Sequence, residues 1–554
     1  MRQPSFMVSR SGAAGRILSL LIALPVVNVV LLAPHWLLPG GAGGAWLALE
    51  AVVAAGVAAA LPRTRWSLAL AAGAGAALVL ASLLMCAEAV AQQSLGRPLN
   101  LYLDLHLAGS VYRLMTGAFG LTRALLLLAG GALAVGAAVW LVAAALGPAG
   151  GAAPRRLPAG GIALAAVAAA GLVGHAPPAL GQRTAWPLVD IATAQARHLA
   201  RMVRERETFE AAIAAAPADY ADVPGLLSRL RHRDVLLAFV ESYGISALDD
   251  PRYAPVMRPR LDELGARAAA AGLQLATGTL VAPTQGGQSW FSHLSLTSGL
   301  WVDNQLRYDL LVASGRETLI DDFRRAGHHT VALMPANTLA WPEGERLGYD
   351  QILARKDIDY RGPPLNWVTM PDQFTWSYLE RAVRASARDA RPVFAELGLI
   401  SSHAPWTPIL PVLDDWEGIG DGAVFAPWRD AGERPEDLWR DHDRVREHFA
   451  LALDYAINVV TGYAERYVDD RTLLIVLGDH QPAPLVTGTG ASRAVPVHVL
   501  SGDAALIAPF LERGYAPGAW PDPARPPARM DTFRDWFVRA FSAPAHGAAA
   551  ATGG

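Results

Sequence analysis

Four short stretches of the chain carry residues able to do chemistry. LLAFVESYG runs an apolar segment into Glu241, TLLIVLGDH runs another into Asp479 and His480, and PVFAELGLISSHAPW runs a third into His403. The fourth, TQGGQSWFSH over residues 284–293, places two glycines before Ser289 and the start of a helical run. Taken singly, each has an ordinary explanation: a serine at a helix start is most often a cap, and an acid after a strand is most often a cap or a solvated end. Taken together they make a donor set. Glu241, Asp479 and His480 supply two carboxylate oxygens and one imidazole nitrogen, which suits a hard-to-borderline divalent ion such as Mn, Zn or Mg. A fourth ligand is wanted, and the Ser289 hydroxyl would serve. A serine hydroxyl is a poor nucleophile at neutral pH, but beside a divalent cation it loses its proton far more readily. A helix start also offers free backbone N–H groups to a phosphate, and Gly286 and Gly287 let the chain approach an anion closely.

Other side chains near these stretches keep two readings each. His403 either binds the phosphate or protonates a leaving oxygen, or it packs beside Trp406. His293, one helical turn after Ser289, either faces the substrate or is an ordinary surface or partly buried histidine. His498 sits in the middle of VPVHVLS, where a histidine is usually structural. Trp301, Trp341 and Trp406 form an apolar wall for a headgroup or pack in the core.

These residues need a scaffold that brings strand ends together. After residue 230, DVLLAFV (234–240), HTVALM (329–334), PVFAELGLI (392–400), TLLIVLG (472–478) and VPVHVLS (495–501) read as buried strands. Helical stretches such as LIDDFRRAG and EHFALALDYAINVVTGYAERYV lie between them. The alternation predicts an α/β domain with a mostly parallel sheet flanked by helices. Chemistry in such sheets collects beyond the carboxyl ends of the strands.

The first 180 residues are of another kind. Of 554 residues 52% are hydrophobic, unevenly spread, and apolar runs occupy about 17–38, 45–61, 66–91, 121–146 and 157–174. The first is too long for the apolar region of a signal peptide and is expected to be retained. Arg2, Arg10 and Arg16, Arg63 and Arg65, and Arg155 and Arg156 flank these runs on one side, which predicts a cytoplasmic N-terminus. Five crossings then put everything after residue 180 on the outer face of a bacterial-type cell membrane. Glu50 and Glu88 fall near outer ends of spans, and either reach the headgroup region or line a path for a lipid headgroup. The expected organisation is a five-span unit at 1–180, amphipathic linker helices at 181–230 (helical over about 185–216), an outer catalytic domain at 231–541, and a disordered tail at 542–554. A net charge of −3 without a dense basic cluster argues against nucleic acid as a partner. The single cysteine, Cys86, excludes disulfides within the chain and cysteine zinc sites.

With Glu241, Ser289, Asp479 and His480 in this order, the chain resembles the lipoteichoic acid synthase (phosphoglycerol transferase) branch of the alkaline phosphatase superfamily, whose outer domain is sulfatase-like. That branch's strand-then-Glu motif matches LLAFVESYG, and its Gly-Gln-Gly-Lys-Thr-Ser loop looks like Gln285-Gly286-Gly287-Gln288-Ser289. Its Gly-Asp-His matches Gly478-Asp479-His480, and its substrate-side histidine matches SSHAPW at His403. The resemblance implies Ser289 as nucleophile and metal ligand, with Glu241, Asp479 and His480 holding one divalent ion, manganese ahead of zinc or magnesium. It implies a phospholipid donor and a glycan or lipid acceptor, with Trp341, Trp406, Arg346 and His293 as candidate substrate contacts. Two departures stand out. The usual nucleophile is Thr, and in MPANTLAWPEGERLGYD the residues Pro335, Ala336, Asn337 and Glu343 stand where basic groups would fall, with Arg346 as the nearby replacement. The sulfatase motif Cys/Ser-x-Pro-x-Arg is absent after Ser289, and no further Asp-x-x-x-His ligands for a second metal are evident. The implied activity is transfer of phosphoglycerol or a similar headgroup through a serine-linked intermediate. Alternatives are a phosphodiesterase using water, a phosphoethanolamine transferase, or a non-catalytic protein on the same fold.

Overall fold

A computed structural model describes residues 8–37, 44–61, 64–147, 183–215, 220, 223–387 and 391–542. They fall into two compact units, one ending at Gln92 and resuming over Arg97–Met202, the other formed by Gln93–Gly96 and the chain from Val203. In the first unit, helices α1 (Arg65–Leu95) and α2 (Leu121–Ala145) are long and apolar enough to cross a bilayer. The first contains the expected span at 66–91, and the second covers that at 121–146 up to Ala145. The runs at 17–38 and 45–61 are also helical, within Val8–Leu37 and Leu49–Ala60, but their apolar stretches, Leu20–Trp36 and Leu49–Ala59, are shorter. The run at 157–174 lies outside the described residues, as does the tail after 542. Two spanning-length helices, rather than five, are therefore present among the described residues.

Glu50 and Glu88 of this unit both hold backbone. Glu50 accepts from Leu188 N (3.0 Å) and Val189 N (3.2 Å), at the start of helix α3 (Pro187–Ala215). Glu88 accepts from Leu99 N at 2.8 Å and from Gln92 Nε2 at 2.7 Å. One oxygen of each carboxylate is thus spent on N–H groups that a helix or turn leaves unpaired. Within the stretch at 185–216, Pro187–Ala215 is helical, and the division between units falls inside α3, after Met202.

The second unit is built on a nine-stranded sheet of β1 (Asp234–Val240), β2 (Gln274–Val281), β3 (His329–Met334), β4 (Gln351–Ala354), β5 (Val393–Leu399), β6 (Thr472–Gly478), β7 (Ala494–Ser501), β8 (Ala516–Pro517) and β9 (Ala528–Arg529). The order is β8-β2-β7-β6-β1-β5-β3-β4, with β9 beside β2. Five strands, β6-β1-β5-β3-β4, run parallel, whereas β7 is antiparallel to both β6 and β2. The sheet is mixed rather than mostly parallel, and VPVHVLS is the strand that reverses. Alternation along β1 sends Leu236, Ala238 and Val240 into one buried cluster and Val235, Leu237 and Phe239 into the other. Helix α5 (His442–Tyr467) packs in the first cluster, and Leu296 of helix α4 (Ser289–Ser298) packs in the second.

Two strands of some length escaped the sequence reading. QLATGTLV (β2) mixes Gln, Thr and Gly among its apolar residues, and β4 is only four residues long. β2 matters most, because reversal at β7 restores it to the direction of β1 and β6. Its carboxyl end therefore lies at the same edge as theirs, and the loop leaving it carries Ser289.

Candidate active site

Register alone sets the first pair of residues. Val240 is level with Gly478 on β6 and with Leu399 on β5, so Glu241 and Asp479 are the next residues of neighbouring strands. The ladder continues past the strand ends, through Asp479 N to Val240 O and Glu241 N to Leu399 O, each at 3.2 Å. Gly478 has no room for a side chain, because a Cβ there would collide with the Tyr243 carbonyl oxygen. A Cβ on Gly244 would likewise strike the Gln481 side chain. Two glycines thus let the loops after β1 and β6 close on one another.

Asp479 is held tightly. Its Oδ1 accepts from Ser242 N (2.8 Å) and from His480 N (2.6 Å). The Ser242 hydroxyl donates to Glu241 Oε1 at 2.7 Å. His480 Nδ1 meets the Gln481 carbonyl at 2.9 Å and must donate to it, since a carbonyl only accepts. In the neutral ring this leaves Nε2 as a bare acceptor. It lies 3.5 Å from Glu241 Oε1 and 3.6 Å from Asp479 Oδ2, buried and without a hydrogen-bond partner. One ligand atom from each of the three residues falls within 4.8 Å of the others. Three converging acceptors, one an orphaned buried nitrogen, fit a divalent cation. Burial, together with the Glu241 charge, pushes the Asp479 carboxyl up. Burial also opposes ionisation of Glu241, but the His480 and His403 imidazoles and the Ser242 hydroxyl hold its carboxyl below the ordinary range.

Ser289 is not a helix cap. The N-cap of α4 is Gln288, in the left-handed region at φ 65°, and it makes no side-chain cap bond. Ser289 is the first helical residue, and its side chain favours the ionised form of the Asp479 carboxyl. The loop before it is fastened to the loop after β6. Gly286 N donates to Gln481 O at 2.8 Å, Gln285 Nε2 to Pro482 O at 3.1 Å, and the Thr284 hydroxyl to Gly287 O at 2.7 Å.

His403 follows β5 on a segment held by Asp372, whose Oδ1 accepts from Ile400 N (2.8 Å) and Ser401 N (2.9 Å). Its imidazole stacks on Trp367, with centroids 5.5 Å apart, and acts electrostatically on Glu241. His293 stacks on Phe239 at 3.7 Å, bonds Glu396 Oε1 through Nδ1 at 2.7 Å, and acts on Asp479. It is thus partly buried rather than on the surface. Trp406 is buried, stacked on Trp439 and edge-on to Phe449, and its indole donates to Ser402 O at 2.6 Å. It also lines a cavity with His403, Ser401 and Tyr455. Trp341 precedes the short helix Pro342–Arg346 and lies 6.3 Å from the Tyr349 ring, and Arg346 is exposed. Trp301 lies under Arg529. His498 is buried between Tyr243 Oη and Thr277 Oγ1, 2.9 Å from each, a structural position.

Three residues around the site had been overlooked: Asp372, Glu396 and Tyr349. Glu396 carried a visible signal, a lone carboxylate inside an otherwise apolar strand, which is costly unless it has a partner.

No protein-family model matches the chain, and no curated protein matches it. Among solved structures it is similar to the lipoteichoic acid synthase LtaP from Listeria monocytogenes, at 12% identity, over 54% of this chain and 71% of that one, with a TM-score of 0.34. It is similar to the phosphoglycerol transferase GacH from Streptococcus pyogenes, in complex with sn-glycerol-1-phosphate, at 14% identity, over 54% and 74%, with a TM-score of 0.34. A protein in the alkaline phosphatase superfamily from Vibrio parahaemolyticus is similar at 15% identity, over 59% and 80%, with a TM-score of 0.33. The functional reading rests on the chain's own residues.

Proposed function

We propose that the chain is a membrane-anchored, metal-dependent transferase that moves a phosphorylated headgroup, phosphoglycerol or a similar one, from a phospholipid to a glycan or lipid acceptor. The observation that carries this reading is the convergence of Glu241, Asp479 and an unpartnered His480 Nε2, with Ser289 near enough to favour the ionised Asp479 carboxyl. Glu241, Asp479, His480 and the Ser289 oxygen would hold one divalent ion, manganese ahead of zinc or magnesium. When bound, that ion favours the ionised serine and draws charge from the phosphoryl oxygens. Ser289 gives up its proton to water and forms an Oγ–P bond, the bond from phosphorus to the diacylglycerol oxygen breaks, and His403 protonates that oxygen and regains its proton from water. An acceptor hydroxyl then attacks phosphorus and the Oγ–P bond breaks, returning the proton to Ser289. Trp341, Trp406 and Arg346 contact the rest of the substrate.

Membrane anchoring is supported by α2, which is apolar all round and almost wholly unburied, with Leu126, Leu133 and Trp140 each about two-thirds or more exposed. The five-span arrangement, with the N-terminus cytoplasmic and the site domain outside, belongs to this reading. Anchoring keeps the domain beside lipid and raises the effective substrate concentration.

The test is mass spectrometry of Ser289 after incubation of the full chain and Mn with phospholipid vesicles. A headgroup adduct that an added acceptor removes is the expected result, and its mass names the headgroup, including phosphoethanolamine. An adduct lost equally fast to water means a phosphodiesterase. No adduct on a metal-loaded protein refutes the reading.

A further inference from the structure

The face of the sheet that carries Glu241 also carries a second, buried carboxylate. Glu396 on β5 is level with Leu237, and Leu237, Phe239 and Glu241 point to the same side of β1. Glu396 is 2% exposed and lies among apolar side chains. Its two oxygens are both committed: Oε1 to His293 Nδ1 at 2.7 Å, Oε2 to the Tyr349 hydroxyl at 2.7 Å. Burying a carboxylate is costly unless a cation or strong donors meet it. Of its two partners, only His293 can carry a positive charge. The imidazole is fixed a second way, stacked on Phe239 with centroids 3.7 Å apart. His293 is one turn after Ser289 on α4, and helical side chains lean toward the N-terminus, so the ring leans over the turn that begins with Ser289. Its electrostatic effect on Asp479 agrees with that placement. With Nδ1 pinned by Glu396, Nε2 is the ring nitrogen left to meet a substrate.

A site with two carboxylates and a serine must accept a phosphodiester that is itself an anion. One divalent ion balances Glu241 and Asp479, and the phosphoryl oxygens then need further donors. Building on the transferase reading, we infer that Glu396 and Tyr349 are positioning residues that hold the His293 imidazole as a charged hydrogen-bond donor to the phosphoryl oxygens arriving at Ser289. The ligand chemistry is the phosphoryl group, whether free or in a lipid headgroup. Tyr349 fixes the carboxylate, the carboxylate fixes and charges the imidazole, and the imidazole alone touches substrate.

The test uses the full-length chain in detergent, loaded with Mn, and measures binding of inorganic phosphate by calorimetry and of phosphatidylglycerol vesicles by co-flotation. His293→Gln is expected to weaken phosphate binding by about tenfold or more, the worth of a charge-assisted hydrogen bond. Glu396→Gln keeps an acceptor for Nδ1 but removes the charge, and should weaken it by about fivefold, with Tyr349→Phe at about two- to threefold. Mn affinity and melting temperature, read on the same samples, should stay near wild type for Tyr349→Phe and His293→Gln, which separates positioning from a folding defect. Weakening with either probe supports the inference. Phosphate and vesicle binding unchanged in both His293→Gln and Glu396→Gln overturns it, as does a wild-type protein that binds neither probe. The transferase reading is judged separately by the Ser289 adduct, so an adduct with unchanged phosphate binding sinks this inference alone, and weakened binding without any adduct sinks only the transfer.

Discussion

Replacing Asp479 by Asn should make the metal-free protein more stable while abolishing its response to metal. Without a cation, Glu241 and Asp479 face one another and His480 Nε2 across no more than 4.8 Å. Two like charges at that separation repel by about 3 kcal/mol at an effective dielectric constant of about 20. Linkage leads to a similar size: a buried carboxyl moved from 3.8 to about 6 corresponds to about 3 kcal/mol. The sign follows from the folded value lying above the unfolded one. That contribution is fully present below pH 3.8 and lost as pH rises through about 6, so the metal-free fold is destabilised at neutral pH. Asn keeps an oxygen for the Ser242 and Asp479-to-His480 backbone bonds and turns an amide N–H toward Nε2, now 3.6 Å from Oδ2. Relief of about 1–3 kcal/mol should raise Tm by roughly 2–6 °C in a domain of this size. The wild-type protein should instead gain about 4 kcal/mol, or roughly 8 °C, at Mn about 1,000-fold above its Kd. The assay is a melting curve at pH 7.5 in EDTA and in MnCl2 for both proteins. A metal-free variant that melts well below wild type, or a wild type indifferent to Mn, Zn and Mg alike, refutes the reasoning.

Two further outcomes follow from the same structure. Gly478→Ala pushes a methyl into the Tyr243 carbonyl, so it should cost about 2 kcal/mol or more and weaken Mn binding by about tenfold as Glu241 and Asp479 separate; chemical denaturation and metal titration read both. Burial pushes His498 and His328 each down to about 4, below the 6.5 of the unfolded chain, so stability is full above pH 6.5 and is lost as pH falls toward 4. His498→Gln should remove about 3 kcal/mol of that acid loss, seen as a shallower fall in denaturation midpoint between pH 6.5 and 4. An unchanged slope contradicts it.

Local sequence determined the strands and the chemistry at their ends. DVLLAFV, HTVALM and TLLIVLG are strands over the residues read from their composition, because uninterrupted apolar runs can be buried only inside a sheet covered on both faces. Glu241, Asp479 and His480 were legible for the same reason, as polar residues where such runs stop. Tertiary structure alone decided what these residues meet. Reversal of β7 turned β2 so that the loop leaving it carries Ser289 at the same sheet edge as Asp479, and strand direction is set by long-range pairing rather than composition. Glu396 and Tyr349, about a hundred and about fifty residues from His293 respectively, became its partners only when β5 was laid beside β1 and α4 was packed over both. A single buried carboxylate announces that it needs a partner, but only the packed fold names which one, because contact depends on three-dimensional register and not on distance along the chain.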